Sequence, residues 1–374
     1  MPTPDDDLLH LAIPLIIEAE GTAAFQHNIP AVEALLATAT DIDIDPDSLP
    51  PLWVARLALR LADIMLQSVQ LDRARIWLDA AQGQLDKIAD LPDHLALDLR
   101  LQTHRARLLA LDLQPDKARA HIARLRARLD KLDAPPPAAR ARLDLVAAEL
   151  HALERHYPFV EEILDRHLHR EGAFDAPDDL WRALGLMAQA HQMCFEFDQA
   201  AARYEALRDL CEALGSPLDA NDALLGLGQC QIGRGDFQAG LATIALATGR
   251  FPDALRHDAT ARLIGAHLAN ADPEAALVVA EQAAADAAAH DDYVGYVRLL
   301  GVITALYRAL QRHKDAYRNL VTIHGFLHAR FGDEAAAPIK NLINTLRDDL
   351  GEDRFEALAA ELLAEMRQRQ GHAG

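Results

Sequence analysis

The sequence predicts an all-α fold, a right-handed superhelical solenoid of about nine helix-turn-helix repeats. Three observations carry that expectation. Small residues recur at one position of each second helix, at Ala74, Ala118, Ala200, Gly240, Ala276 and Ala316, with Val160 in the remaining slot, in steps of 44, 42, 40, 40, 36 and 40. A period of this size means stacked hairpins, because one hairpin cannot bury its apolar face alone. Hydrophobic residues are 51% of the 374, yet aromatics only 5%, so Ala and Leu, both strong helix formers, dominate the apolar content. Val, Ile and Thr rarely alternate with polar residues, which leaves strands without support.

In chain order, an opening pair is expected near 6–38, where Ala31 extends the small-residue series. First helices are then expected near 52–68, 92–112, 137–154, 178–194, 218–233, 255–270 and 292–311, each marked by apolar doublets one turn apart, such as Leu57/Ala58 with Leu61/Ala62. Second helices follow near 71–89, 115–131, 157–169, 197–213, 236–249, 273–289 and 314–330. A closing pair falls near 334–369, with Ala357 as its small residue. Pro and Gly punctuate the inter-repeat loops, as in Asp133-Ala134-Pro135-Pro136-Pro137 and Gly215-Ser216-Pro217. No long linker interrupts the series, so residues 1–374 are expected to form one continuous array.

Charge and cysteine content narrow the function. The balance of 37 Lys plus Arg against 57 Asp plus Glu gives a net charge of −20, which repels nucleic acid and anionic membranes. Neither is expected as a partner. Cys194, Cys211 and Cys230 form no Cys-x-x-Cys, which fits free thiols in a reducing compartment and predicts a cytoplasmic location. The apolar stretch from Leu8 to Ile17 follows three aspartates and contains Pro14, so it matches neither a signal peptide nor a membrane span.

Small residues at Ala62, Ala188 and Gly228 admit a close partner helix, while Tyr204, Ile244 and Leu320, four residues past the small anchors, fill the space between hairpins. The arrangement resembles the tetratricopeptide repeat: Leu227-Gly228 at the close-packing site, then a small residue twelve positions later and a bulky one four beyond. Ala188, Ala200 and Tyr204 repeat it, as do Thr304, Ala316 and Leu320. Arg105 and Asp144 break the doublets between 92 and 170, and the spacing exceeds the family's usual 34 residues. Longer repeats of this kind, and the closing stretch from Leu346 to Leu358, are similar to the sensor arms of STAND-type regulatory ATPases. The resemblance implies a concave surface of first helices that receives peptide ligands.

One polar residue stands before the buried doublet of nearly every first helix, usually arginine: Arg56, Arg100, Arg142, Arg182, Arg262 and Arg298. Asp222 takes the place between Arg182 and Arg262, and Arg262 fits only with a slip of about one helical turn. On a concave face these side chains form a ladder. A guanidinium grips a carboxylate by two parallel hydrogen bonds, so an acidic peptide stretch or a C-terminal carboxylate would satisfy the ladder. Gln189 and Gln229, two turns further along the same face, could add peptide-backbone hydrogen bonds. On this reading alanine at Arg142 and Arg182 together weakens partner capture with little change in melting temperature. The alternative is a solvated face, in which Asp178 and Asp258 pair with Arg182 and Arg262 one turn on, at about 0.3–0.5 kcal/mol each.

Signals of catalysis are missing. Asp41, Asp43, Asp45 and Asp47 resemble the start of a calcium loop, but Pro46 stands where glycine is needed and Leu52 where glutamate is needed. The Asp348-Asp349 cluster has no second acidic cluster and reads as a capped helix end. His151, His156, His167 and His169 lack a glutamate at zincin spacing and a nearby cysteine, so they read as surface histidines. No phosphate loop or nucleophile elbow is present, and the cysteines fall in or beside helix-packing positions. The sequence therefore predicts no enzyme, no metal and no cofactor. It predicts a cytoplasmic scaffold that binds a peptide or protein segment, or alternatively a regulatory sensor whose curvature responds to a peptide or small molecule.

Overall fold

The computed structural model describes residues 51–168, 173–174, 176–252 and 256–371. The expected opening pair, Ala31, the Asp41 to Asp47 loop and His169 lie outside them. The described residues form sixteen α-helices, one short 3-10 turn and no strand. In order these are α1 (Pro51–Gln67), α2 (Leu71–Leu85), α3 (His94–Leu111), α4 (Pro115–Leu129), α5 (Pro137–Leu153), α6 (Tyr157–Leu168), α7 (Pro177–Met193) and α8 (Phe197–Ala213). They continue as α9 (Pro217–Gly233), α10 (Phe237–Arg250), α11 (His257–Ala269), α12 (Pro273–Ala289), α13 (Tyr293–Ala309), α14 (His313–Phe331), α15 (Asp333–Leu350) and α16 (Glu352–Gly371). The helices fall into two compact units, one ending at Arg234 and the other beginning at Gly235. The first contains α1–α9 and the second α10–α16.

Within each unit consecutive helices pack as antiparallel hairpins, a tetratricopeptide-like repeat build. The small-residue series explains why. Ala74, Ala118, Val160, Ala200, Ala276 and Ala316 are fully buried, so each second helix presses its backbone against neighbouring helices at that point. Burial continues one turn further at Leu78, Ile122, Leu164, Ile244, Ala280 and Leu320. Ala357 departs from the expectation and is exposed on α16. Phe355 supplies the contact instead, against the Tyr317 ring at 5.0 Å. In the first unit α1, α3, α5 and α7 also pack side by side, so one face of that unit is made of first helices. The Tyr204 ring lies against α9 at Gly226, where a Cβ would come within 2.3 Å of it.

The turns inside the hairpins repeat one device. Val69, Leu113, Arg155, Phe195, Ala271 and Gln311 all have positive φ, between 54° and 62°, and stand at the same steps as the small anchors. After each, the next N–H bonds back five residues, from Gln70 to the Met65 carbonyl at 2.8 Å and from Glu196 to the His191 carbonyl at 2.9 Å, which closes a Schellman turn. Glycine fits this position best, and Gly235, with φ of 89°, stands at the same step of the series. Val69 is β-branched and 60% exposed, so it carries left-handed strain of about 1–2 kcal/mol with little packing in return. Val69→Gly is therefore expected to raise stability by about 0.5–1 kcal/mol once the extra freedom of glycine in the unfolded chain is deducted. Urea midpoints check this, and a loss above about 1 kcal/mol would mean the valine side chain is held by packing.

Candidate functional site

A polar network runs across the first-helix face of the first unit, inside an otherwise apolar core. Helix α1 contributes Arg60 and Asp63, α3 Arg100, His104 and Arg107, α5 Arg142 and Glu149, and α7 Asp178, Asp179 and Arg182. Helical spacing puts each set on one side: Arg60 and Asp63 are three apart, Arg100, His104 and Arg107 four and three, and Arg142 and Glu149 seven. Arg60, Asp63, His104, Arg107, Asp178, Asp179 and Arg182 are all buried, a cost that only dense pairing offsets.

The pairing is dense. Arg182 donates from Nη2 and Nε to Glu149 Oε1 at 2.6 and 3.1 Å, and from Nη1 to Asp179 Oδ1 at 3.3 Å. Arg107 donates to Asp63 Oδ1 at 3.1 Å and lies 3.0 Å from Glu149 Oε2. Arg142 Nε donates to Asp179 Oδ2 at 2.7 Å, and Arg60 Nη1 donates to Asp178 Oδ2. Four helices are thus tied through one network. Burial alone would raise the Asp63 carboxyl, but His104, Arg182, Arg107 and Arg60 together hold it far below the carboxylate range. Glu149 is likewise lowered, burial being overcome by Arg107 and Arg182. Burial dominates at Asp178, whose carboxyl is raised despite Arg60. Burial also pushes His104 down to about 3, against the pull of Asp63, so the imidazole is neutral at pH 7.

Among the described residues one guanidinium of this cluster stands apart from the ion pairs, that of Arg100. Its Nε contacts His104 Nε2 at 3.4 Å, and among the described residues no carboxylate lies within salt-bridge distance of it. Burial and the neighbouring Arg142 guanidinium both lower its pKa below the ordinary arginine value. A half-buried guanidinium beside a second one, with no carboxylate of the described residues in direct contact, can receive a carboxylate or phosphate oxygen.

The residues expected to form a ladder take different roles. Arg56 is paired with Asp93 at 2.7 Å and stays outside the network. Arg100, Arg142 and Arg182 are brought together, with Arg182 as a buried strut rather than a reaching side chain. Asp178 is not the partner of Arg182 one turn on: it turns to Arg60 on α1, and Asp179 takes the local role. Gln189 is exposed on α7, and Gln229 on α9 is a half-buried acceptor for Gln192 Nε2 at 3.4 Å. In the second unit Arg262 is exposed on α11. Arg298 is exposed on α13, where it lines a cavity of about 660 Å³ with Ala261, Ile264, Ala287 and Leu299. An ion pair of His257 Nε2 with Asp292 Oδ2 at 2.8 Å stands at the same cavity.

Asp63, Arg107 and Glu149 were not singled out by sequence, although a signal existed. Stepping back from Gln229 and Gln189 by the repeat lengths lands on Glu149, Arg107 and Asp63 in turn. The thiols fit the expectation at Cys211 and Cys230, which are buried and pushed up to about 12 and 11 by burial. Cys194 is partly exposed.

No family model matches the sequence, and no curated protein matches it. Solved structures with similar helical arrays include BtubC from P. vanneervenii, 16% identical over 60% of this chain and 93% of that one, with a TM-score of 0.48. A Rap protein in complex with competence and sporulation factor is 13% identical over 94% and 100% of the two chains, with a TM-score of 0.45. A STAND protein with a tetratricopeptide-repeat sensor from Pyrococcus horikoshii is 11% identical over 87% of this chain and 51% of that one, at 0.49. Each TM-score is below 0.5, so the repeat build rests on this chain's own helices. Among the described residues no helix is long and apolar enough to cross a membrane.

Proposed function

We propose that the protein is a non-catalytic binding scaffold whose first-helix face, in the unit ending at Arg234, captures a peptide or protein segment through an acidic group. The observation that carries this reading is Arg100, a half-buried guanidinium of the network that forms no ion pair among the described residues. An anion bound there stabilises the folded chain by its binding free energy. An acidic side chain or a C-terminal carboxylate matches the planar fork of Arg100, with Arg142 beside it to share the charge. The overall charge of −20 does not oppose this, since screening confines its reach to roughly 8 Å at physiological salt. We place the protein in the cytoplasm, on the strength of three unpaired cysteines.

A peptide array that pairs acidic sequences with neutral counterparts, and free C-termini with amidated ones, tests the reading. Acidic or free-carboxylate peptides should be retained by the full chain, and Arg100→Ala should weaken that retention at least tenfold. The variant should melt within a few degrees of the parent, because among the described residues Arg100 makes no ion pair, and it repels Arg142. Equal retention by Arg100→Ala would refute the assignment.

A further inference from the structure

We propose that His151, Glu154 and His156, at the turn between α5 and α6, form a binding site for a divalent transition metal of the zinc class. The Schellman turn builds the site. Arg155 adopts φ of 61°, and the His156 N–H bonds to the His151 carbonyl at 2.8 Å, which folds two side chains five residues apart onto one side. Glu154, at the helix end, faces the same point. One donor atom from each of the three residues lies within 4.8 Å of the other two, and the imidazole centroids are 6.1 Å apart. Donors on a tetrahedral zinc ion stand about 3.4 Å apart, given bonds of about 2.1 Å, so closure needs small rotations, which the exposed His156 can make.

Two further observations favour a cation here. The Nδ1 atom of His151 is buried and has no hydrogen-bond partner among the described residues, so a polar atom at the heart of the cluster lacks the bond that its burial calls for. The surroundings hold the donors in place. The His151 ring stacks on Phe159 at 5.2 Å, and Arg119 Nη1 binds Glu154 Oε1, which leaves Oε2 toward His156 Nδ1 at 3.7 Å. Other hairpins use the same two turn positions for satisfied pairs. His191 Nδ1 bonds Glu196 Oε2 at 2.7 Å, and Arg312 lies 4.8 Å over the Tyr307 ring. At α5–α6 both positions are imidazoles, and the pair is incomplete without a third species. Two nitrogens and one carboxylate select zinc-class ions over magnesium or calcium. Sequence reasoning missed the site because it sought glutamate at zincin spacing, whereas the left-handed turn supplies Glu154.

Calorimetric titration of the chelator-treated full chain with zinc chloride is the test. One zinc ion per chain is expected, with no heat from magnesium at the same concentration. His156→Ala and Glu154→Gln should each weaken binding at least tenfold while circular dichroism stays unchanged, and Glu196→Gln, in the neighbouring Glu161, His191 and Glu196 cluster, should have no effect. Absence of zinc binding, equal affinity in His156→Ala, or a tenfold loss in Glu196→Gln would each overturn the proposal.

Discussion

Arg182→Ala is expected to lower stability by about 3 kcal/mol, because it takes a guanidinium partner from several largely buried carboxylates at once rather than trimming a surface ion pair. Arg182 is only 8% exposed and holds Glu149 and Asp179 directly, with Asp63 at 3.9 Å. Its removal takes one guanidinium partner from each: Asp63 and Glu149 keep Arg107 and Asp179 keeps Arg142, so all three lose part of their pairing at a largely buried position. The same bonds connect α5 to α7, so the loss falls on the packing of first helices and not on one helix alone. Arg56→Ala is the control: its pair with Asp93 is about half exposed, and such pairs contribute about 0–1 kcal/mol. Urea unfolding of both variants, compared by midpoint, decides the matter. Equal shifts would show that the network contributes no more than a surface contact. The expectation that Arg142 and Arg182 could be replaced together at little cost in melting temperature is corrected by this geometry, since burial turns Arg182 from a rung into a strut.

The repeat period made most of the fold legible. Ala74, Ala118, Val160, Ala200, Ala276 and Ala316 are all fully buried, and α9, α12 and α8 begin and end within a residue of the positions read from apolar doublets and turn residues. Such features are local, and a hairpin turn needs only its own residues to declare itself. The site was half legible. The row of Arg56, Arg100, Arg142 and Arg182 was visible because one residue type recurs, whereas the row of Asp63, Arg107, Glu149, Gln189 and Gln229 keeps the spacing but passes from negative to positive to negative to neutral. Which guanidinium forms no ion pair among the described residues is a property of the assembled network. Asp178 lies four residues from Arg182, yet its partner is Arg60, 118 positions away, and no spacing within α7 could reveal that.

Acid should unfold the protein from about pH 6 downward, and His104 sets where the loss begins. In the unfolded chain this imidazole binds a proton near pH 6.5, whereas in the folded protein burial holds it neutral down to about 3, so between those values the unfolded state carries the extra proton. Unfolding free energy then falls with pH by about 1.4 kcal/mol per unit through that window, which amounts to about 2–3 kcal/mol between pH 6.5 and 4.5. Asp63 and Glu149 act in the same direction at lower pH: their folded values are depressed, so their contribution is complete above the ordinary carboxylate range and is lost below it. Asp178, which is raised, opposes them weakly. His104→Gln separates these terms, because an amide can accept from Arg100 Nε and face Asp63 without titrating. Relief of the −20 charge on acidification affects both proteins alike, so the difference between their pH profiles isolates the imidazole. The variant's midpoint should be flatter than the parent's between pH 6.5 and 4.5, and parallel profiles would mean that His104 takes up its proton in the folded state.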